Sequence, residues 1–371
     1  MAVESQVETP ALVISLDLVR ANLMAMRHAL GGDLDRWRPH LKTAKIPEIF
    51  AEYLDLGLRA FKCATPREAR VLFEVAEELR LPDLDLLVAY PHRGPALSRL
   101  AALAGRNARW RLSVLVEDAD DVSQIPDALG LFVDLDPGEH RSGRDPRDHD
   151  GLRACVQAAG TRFRGLHFYE GLPPGETAGQ RRAAAIAGYD RLLEAAAGLA
   201  RSGLRGEELV TSGTPAFPYA LDHPPFRTLP MGARHRVSPG TVVYSDLRTE
   251  EERPELDLSF AAVVVSRVIS RPEPGRFTCD AGSKALAAEV APPVVAVVGH
   301  PEFRAQTPSE EHLPFTCPVG SEPDRGAILR LVPRHVCPTV NLAERAILVG
   351  ADFDPRIVEV RARAHDLEFM G

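Results

Sequence analysis

Of the 44 basic side chains in this 371-residue chain, lysine accounts for Lys42, Lys45, Lys62 and Lys284 alone, and arginine supplies the rest. A lysine amine can lose its proton and attack a carbonyl, whereas arginine stays protonated and forms no Schiff base. Amine chemistry therefore has few candidates, the bland alternative being codon bias. A phosphate group needs converging backbone N–H groups, which glycine and small hydroxyl residues supply at strand-to-helix turns. Ser212-Gly213-Thr214 and Pro239-Gly240-Thr241 both have that composition. Either one alone reads as an ordinary turn, and it is the pairing that suggests a phosphate site. Finally, Arg334-His335-Val336-Cys337 sets an imidazole two residues from a thiol. On an extended strand the two would share a face and could clamp one ion, with zinc suited to nitrogen plus thiolate. From spacing alone the competing reading is a buried thiol beside a histidine bonded to a backbone carbonyl.

The elements around these residues predict where they sit. From residue 11 to about 245, short β-branched apolar runs alternate with amphipathic stretches, the pattern of βα units around a parallel sheet. Strands are predicted at Ala11 to Leu16, Trp37 to Leu41, Ala60 to Cys63, Leu84 to Ala89, Arg111 to Val116, Leu129 to Asp134, Arg164 to Phe168 and Leu209 to Thr211. Thr65-Pro66-Arg67-Glu68 is a capping box, and Pro47 marks another helix start. After Asp246, strand-like runs at Leu256 to Ser270, Val290 to Gly299, Ala327 to Cys337 and Arg345 to Val349 are linked by loops rich in Pro, Gly and Glu. The expected fold is α/β: a (β/α)8 TIM barrel over residues 1–250, followed by a mostly antiparallel β domain over 251–371. In such a barrel the chemistry lies at the carboxyl ends of the strands, where Lys42 and Lys62 both fall, with Lys45 just beyond. Position does not separate these three.

Composition excludes other classes. The net charge of −8 carries no basic block, which argues against nucleic acid and anionic membranes and leaves a small molecule as the expected partner. No apolar run approaches the roughly 18 residues of a membrane span, and the first ten residues have neither a basic flank nor an apolar stretch. A cytoplasmic location is expected, consistent with five scattered cysteines and no CxxC pair.

Thr9-Pro10-Ala11, followed by Arg38-Pro39-His40-Leu41-Lys42-Thr43-Ala44-Lys45, resembles the N-terminal signature of the D-threonine aldolase and D-serine dehydratase family, which is related to the alanine racemase barrel. The likeness spans nearly the whole chain. It implies that the lysine two residues after the Pro-His pair carries pyridoxal phosphate as a Schiff base, which selects Lys42 over Lys45 and Lys62. It also implies phosphate contacts from Ser212, Gly213 and Thr214, and from Gly240 and Thr241, with Ser238 in the place of a family arginine. The loop from Asp134 to Gly143 resembles the one in which an arginine approaches the cofactor, here Arg141; read as residues only, it is equally a solvated charged loop. His167-Phe168-Tyr169-Glu170-Gly171 lies at a strand end and could set His167 or Tyr169 against the pyridine ring. Family members often have Gly-His after the tyrosine, whereas Gly171 here precedes Leu172. D-serine dehydratases carry His-x-Cys for zinc at the position of His335 and Cys337, and the aldolases typically carry His-x-Asp for a harder ion.

The resemblance thus implies pyridoxal phosphate, a divalent metal (zinc ahead of manganese or cobalt), a D-amino acid substrate and a homodimer. Cys337 tilts the expectation toward dehydration of D-serine or a related D-3-hydroxy amino acid to a keto acid and ammonia. In that reaction Lys42 removes the α proton and the metal polarises the β-hydroxyl. Retro-aldol cleavage to glycine and an aldehyde is the near alternative. A racemase would have no use for the metal, and a non-catalytic pyridoxal-phosphate carrier would not need the second domain.

Overall fold

The computed structural model describes residues 6–229 and 232–367. The chain divides into two compact units, one built from Leu30–Leu41, Tyr53–Gly240 and His365–Gly371, the other from Met1–Ala29, Lys42–Glu52 and Thr241–Ala364.

The first is the barrel unit. With β1 defined as Ala11–Ser15, it contains β2 (Ala60–Cys63), β3 (Leu84–Val88), β4 (Trp110–Val116), β5 (Gly130–Asp134), β6 (Phe163–Phe168), β7 (Glu208–Thr211) and β8 (Arg234–Val237). These seven run parallel in sequence order. The gap between β8 and β2 is bridged by residues 37–41, where Trp37 pairs with Val237 and His40 with Lys62. Pro39 has no N–H to donate, so the predicted strand at Trp37 to Leu41 forms isolated bridges in place of a regular ladder. The helix Pro66–Glu78 begins as its sequence predicts, with Thr65 accepting the Glu68 N–H.

The barrel floor is ionic. Arg38, fully buried, donates to both carboxylate oxygens of Glu208 at 2.7 Å and to Asp85 at 3.0 Å, and Arg236 joins the same Glu208 at 2.5 Å. These residues sit where the strands begin, the face of a barrel that serves stability. Arg38 stands in the Arg-Pro-His run preceding Lys42, yet its partners give it a structural task.

The second, or sheet, unit holds β1 with β9 (Ala262–Ser270), β10 (Arg276–Cys279), β11 (Val295–Val297), β12 (Arg304–Ala305), β13 (Leu313–Thr316), β14 (Ile328–Pro333), β15 (Arg345–Gly350) and β16 (Phe353–Glu359). Its order is β12-β13-β10-β9-β1-β15-β16, with β14 on β9 and β11 on β14, and every pairing is antiparallel except β1 with β15. This corrects the expectation that β1 is a barrel strand: Val13 is flanked by Val263 and Ile347. A second correction concerns Ala327 to Cys337. The strand ends at Pro333, and Val336–Leu342 is helical. Pro338 falls in the first turn of that helix, where its missing N–H costs little. Asp246 accepts the Val336 N–H at 3.0 Å and that of Thr249 at 2.8 Å, fixing two helix starts with one carboxylate.

Candidate active site

Three groups meet inside the barrel unit at the carboxyl ends of the strands. Asp134 ends β5, and its register partner on β6 is His167. Neighbouring positions of a parallel ladder point to the same face, so carboxylate and imidazole meet, with His167 Nδ1 2.7 Å from Asp134 Oδ1. The other carboxylate oxygen accepts from Ser142 Oγ at 2.8 Å. Lys62, late in β2 and almost wholly buried, brings its Nζ to 3.4 Å from His167 Nε2 and 3.8 Å from the ring centroid of Tyr169. The His167 and Tyr169 rings are parallel, with centroids 6.1 Å apart. Burial, aided by the positive charges of Lys62 and Arg141, holds His167 below the usual imidazole range despite the pull of Asp134. The neutral form of the ring is thereby favoured.

Arg141 approaches the same tyrosine, its guanidinium 5.9 Å from the ring centroid, but it is exposed and paired with Glu139 at 2.5 Å. Its loop is tied down by Asp136, which accepts N–H bonds from Gly138, Glu139 and His140.

The first loop proposed for phosphate is held from below. Glu170, buried, accepts from Ser212 Oγ at 2.6 Å, from the Tyr189 hydroxyl and from the Ser212 N–H at 3.3 Å, while its own carbonyl accepts the Gly213 N–H at 2.9 Å. Burial pushes the Glu170 carboxyl up to about 7 against these hydrogen bonds. Ser212 is held at a φ of 62°, and a Cβ on Gly213 would lie 2.6 Å from the Tyr169 hydroxyl, so the loop passes that ring only as glycine. Two of the N–H groups expected to face a phosphate are thus engaged by Glu170. Thr214 is different: its hydroxyl is buried and has no hydrogen-bond partner among the described residues, the kind of orphaned polar atom that a bound oxyanion would satisfy. The residues present therefore fit a phosphate group. The second loop is anchored by Ser238, which donates to the Arg38 carbonyl at 2.7 Å, and Gly240 ends the longest segment of this unit.

In the sheet unit, Lys42 lies in a turn, half-buried, and its charge helps to lower the pKa of Cys337. Thr43 Oγ1 is 3.0 Å from Cys337 Sγ, and Thr241 Oγ1, expected at a phosphate, is 3.6 Å from the same sulfur. His335 and Cys337 converge even though they bracket a helix start and do not share a strand. Burial opposes ionisation of Cys337, but the His335 imidazolium, Lys42 and Thr43 outweigh it and hold the thiol below its usual range. His335 is raised to about 9: burial lowers it, and the Cys337 thiolate, Glu289 and Asp246 more than compensate. Glu289 meets His335 Nδ1 at 2.6 Å, leaving Nε2 as the ring nitrogen for a metal. A thiolate and an oriented imidazole fit a zinc-type ion with positions left for water and substrate. No cluster of three or more His, Cys, Asp and Glu with metal-binding geometry occurs among the described residues.

Sequence reasoning singled out Lys42, His167, Tyr169, Ser212, His335 and Cys337 but passed over Asp134 and Glu289, the carboxylates that orient the two histidines, and set Lys62 aside. Asp134 was visible only as the start of a charged loop, and nothing in the spacing ties Glu289 to His335.

A serine dehydratase domain model matches residues 261–349. A D-threonine aldolase of Arthrobacter sp. is 31% identical across 97% of this chain and 93% of its own length. A 3-hydroxy-D-aspartate aldolase of Paracoccus denitrificans is 25% identical over 91% of this chain and 88% of its own. The crystal structure of D-threonine aldolase from Filomicrobium marinum superposes with a TM-score of 0.83 at 28% identity, covering 97% of this chain and 96% of that one. A parallel barrel joined to an antiparallel sheet unit, with this likeness along its whole length, defines a pyridoxal-phosphate-dependent lyase. The chain belongs to the D-threonine aldolase and D-serine dehydratase family.

Proposed function

We propose that this lyase acts on a D-3-hydroxy amino acid, with pyridoxal phosphate carried on Lys42 and a divalent metal held by His335 and Cys337. The observation that carries the reading is the imidazole–thiolate pair, with its supporting Glu289, Thr43 and Thr241. The cofactor supplies a sink for negative charge at the substrate's α carbon, and the metal supplies a Lewis acid for its β-hydroxyl.

The chain's own groups do the rest. Lys42 is the amine and the base for the α proton. Thr214 and Gly240 bind phosphate, and Ser212 and Gly213 shape the first loop through Glu170. His167 and Tyr169 flank the pyridine ring, His167 staying neutral on Asp134, and Arg141 adds positive charge at the barrel mouth. Glu289 orients His335, and the threonines orient the Cys337 sulfur.

The resemblance of His335-x-Cys337 to the His-x-Cys of D-serine dehydratases favours elimination of the β-hydroxyl, which leaves an enamine that hydrolyses to a keto acid and ammonia. Whole-length likeness to aldolases favours the second reading, cleavage of the Cα–Cβ bond to glycine and an aldehyde. Incubation with D-serine, D-threonine and D-threo-3-hydroxyaspartate, following keto acid and glycine separately with and without chelator, separates them. Keto acid lost on chelation supports elimination, and glycine supports the aldol reading. Racemisation that resists the chelator would overturn both.

A further inference from the structure

Lys62 has no part in the reactions described so far, yet it is among the most deeply buried ionisable groups of the barrel unit. Its backbone is fixed against residues 39–41: the N–H donates to the Pro39 carbonyl at 2.9 Å and the carbonyl accepts from the Leu41 N–H at 2.7 Å. The side chain therefore leaves β2 at a set position and meets two rings, Tyr169 beneath its ammonium at 3.8 Å and His167 Nε2 at 3.4 Å.

The hydrogen-bond roles follow from His167. An anionic carboxylate can only accept, so Asp134 requires the imidazole proton on Nδ1. In the neutral ring this leaves the lone pair on Nε2, which faces Lys62, and an ammonium can only donate. Every donor then meets an acceptor along Lys62, His167, Asp134 and Ser142. We propose that Lys62 is a positioning residue that acts through His167: its ammonium donates to Nε2 and keeps the imidazole neutral, with its single proton on Nδ1.

The charged and titratable groups facing His167 are Lys62 from β2, Asp134 from β5, and Arg141 and Tyr169 from the loops after β5 and β6; His40 meets Tyr169 edge to face, with ring centroids 6.5 Å apart. Two cations and one carboxylate favour a neutral ring. Without Lys62 the balance passes to Asp134, and the ring gains its second proton more readily. The role in turnover, as distinct from the protonation pattern, rests on the proposed function. There a neutral imidazole braced by a fixed ammonium sets positive charge beside a reaction that develops negative charge, without the ring itself losing a proton.

The test uses the full chain with ¹⁵N-histidine, His167 being assigned by its loss in His167→Gln. The wild-type spectrum is expected to show Nδ1 protonated and Nε2 bare at neutral pH. In Lys62→Met the midpoint for gaining the second proton moves upward by about one pH unit or more, and in Lys62→Arg it returns toward the wild-type value. With activity as a second readout, Lys62→Met lowers kcat roughly tenfold with KM within about twofold, and Lys62→Arg recovers most of it. A wild-type ring protonated on Nε2, or identical titration in Lys62→Met, overturns the proposal. Should Lys62→Met not fold, the same upward shift is expected in Lys62→Gln, and its absence there overturns the proposal. Absence of lyase activity would count against the proposed function and leave the spectrum to judge Lys62.

Discussion

His167 and His335 each have a carboxylate at hydrogen-bond distance of Nδ1, and their pKa values are shifted in opposite directions. His167 lies 2.7 Å from Asp134 and is held below the usual imidazole range; His335 lies 2.6 Å from Glu289 and is raised to about 9. The adjacent carboxylate therefore does not set the charge. Around His167, burial and the cations Lys62 and Arg141 oppose Asp134, whereas around His335 a thiolate and Asp246 add to Glu289. One arrangement keeps a neutral ring with a defined tautomer. The other holds a proton at the site proposed for the metal, where binding an ion would displace it.

The largest break in this comparison is expected at Cys337. Cys337→Ala should lower zinc affinity on the order of a hundredfold, read by competition with a chelating dye, and lower metal-dependent turnover in proportion. Next is the barrel floor, which tests whether the polar interior has separate structural and chemical ends. Arg38→Met leaves Glu208 and Asp85 buried beside too little positive charge, and should destabilise the chain by about 3–5 kcal/mol in denaturant titration. The two orienting carboxylates sharpen the contrast. Asp134→Asn, in a buried setting, should lower kcat about tenfold, while Glu289→Gln, half exposed, should weaken zinc binding only several-fold.

The smallest effect concerns Glu170, whose pKa in the folded chain is about 7 against an ordinary 4.5. A raised carboxyl binds its proton more tightly in the folded state, so its contribution is greatest below pH ~4.5, declines as pH rises, and is flat above about 7. Glu170→Gln should flatten the melting temperature across that window.

Most barrel strands were legible as short apolar runs between helix signals, and β2 runs Ala60–Cys63 as its sequence predicts, whereas β8, Arg-His-Arg-Val, has no such run and was not among the predicted strands. The place of β1 was not: Leu-Val-Ile suits either sheet, and only long-range register with β9 and β15 assigns it. Helix Val336–Leu342 was hidden because valine and threonine favour strands, and the Asp246 hydrogen bond that starts it comes from a residue 90 positions away. Within the candidate site, Lys42 and the His-x-Cys pair could be read as motifs. The Lys62–His167–Asp134 chain could not, since it exists only through the register of β5 with β6 and the bridge of His40 to Lys62.

The most direct test of the account is to load the purified chain with pyridoxal phosphate, reduce it with borohydride and map the labelled peptide. Four lysines make the assignment unambiguous. The account predicts the label on Lys42, with no label and no cofactor absorbance band in Lys42→Ala. A label on Lys62, or a band that survives in Lys42→Ala, would contradict it.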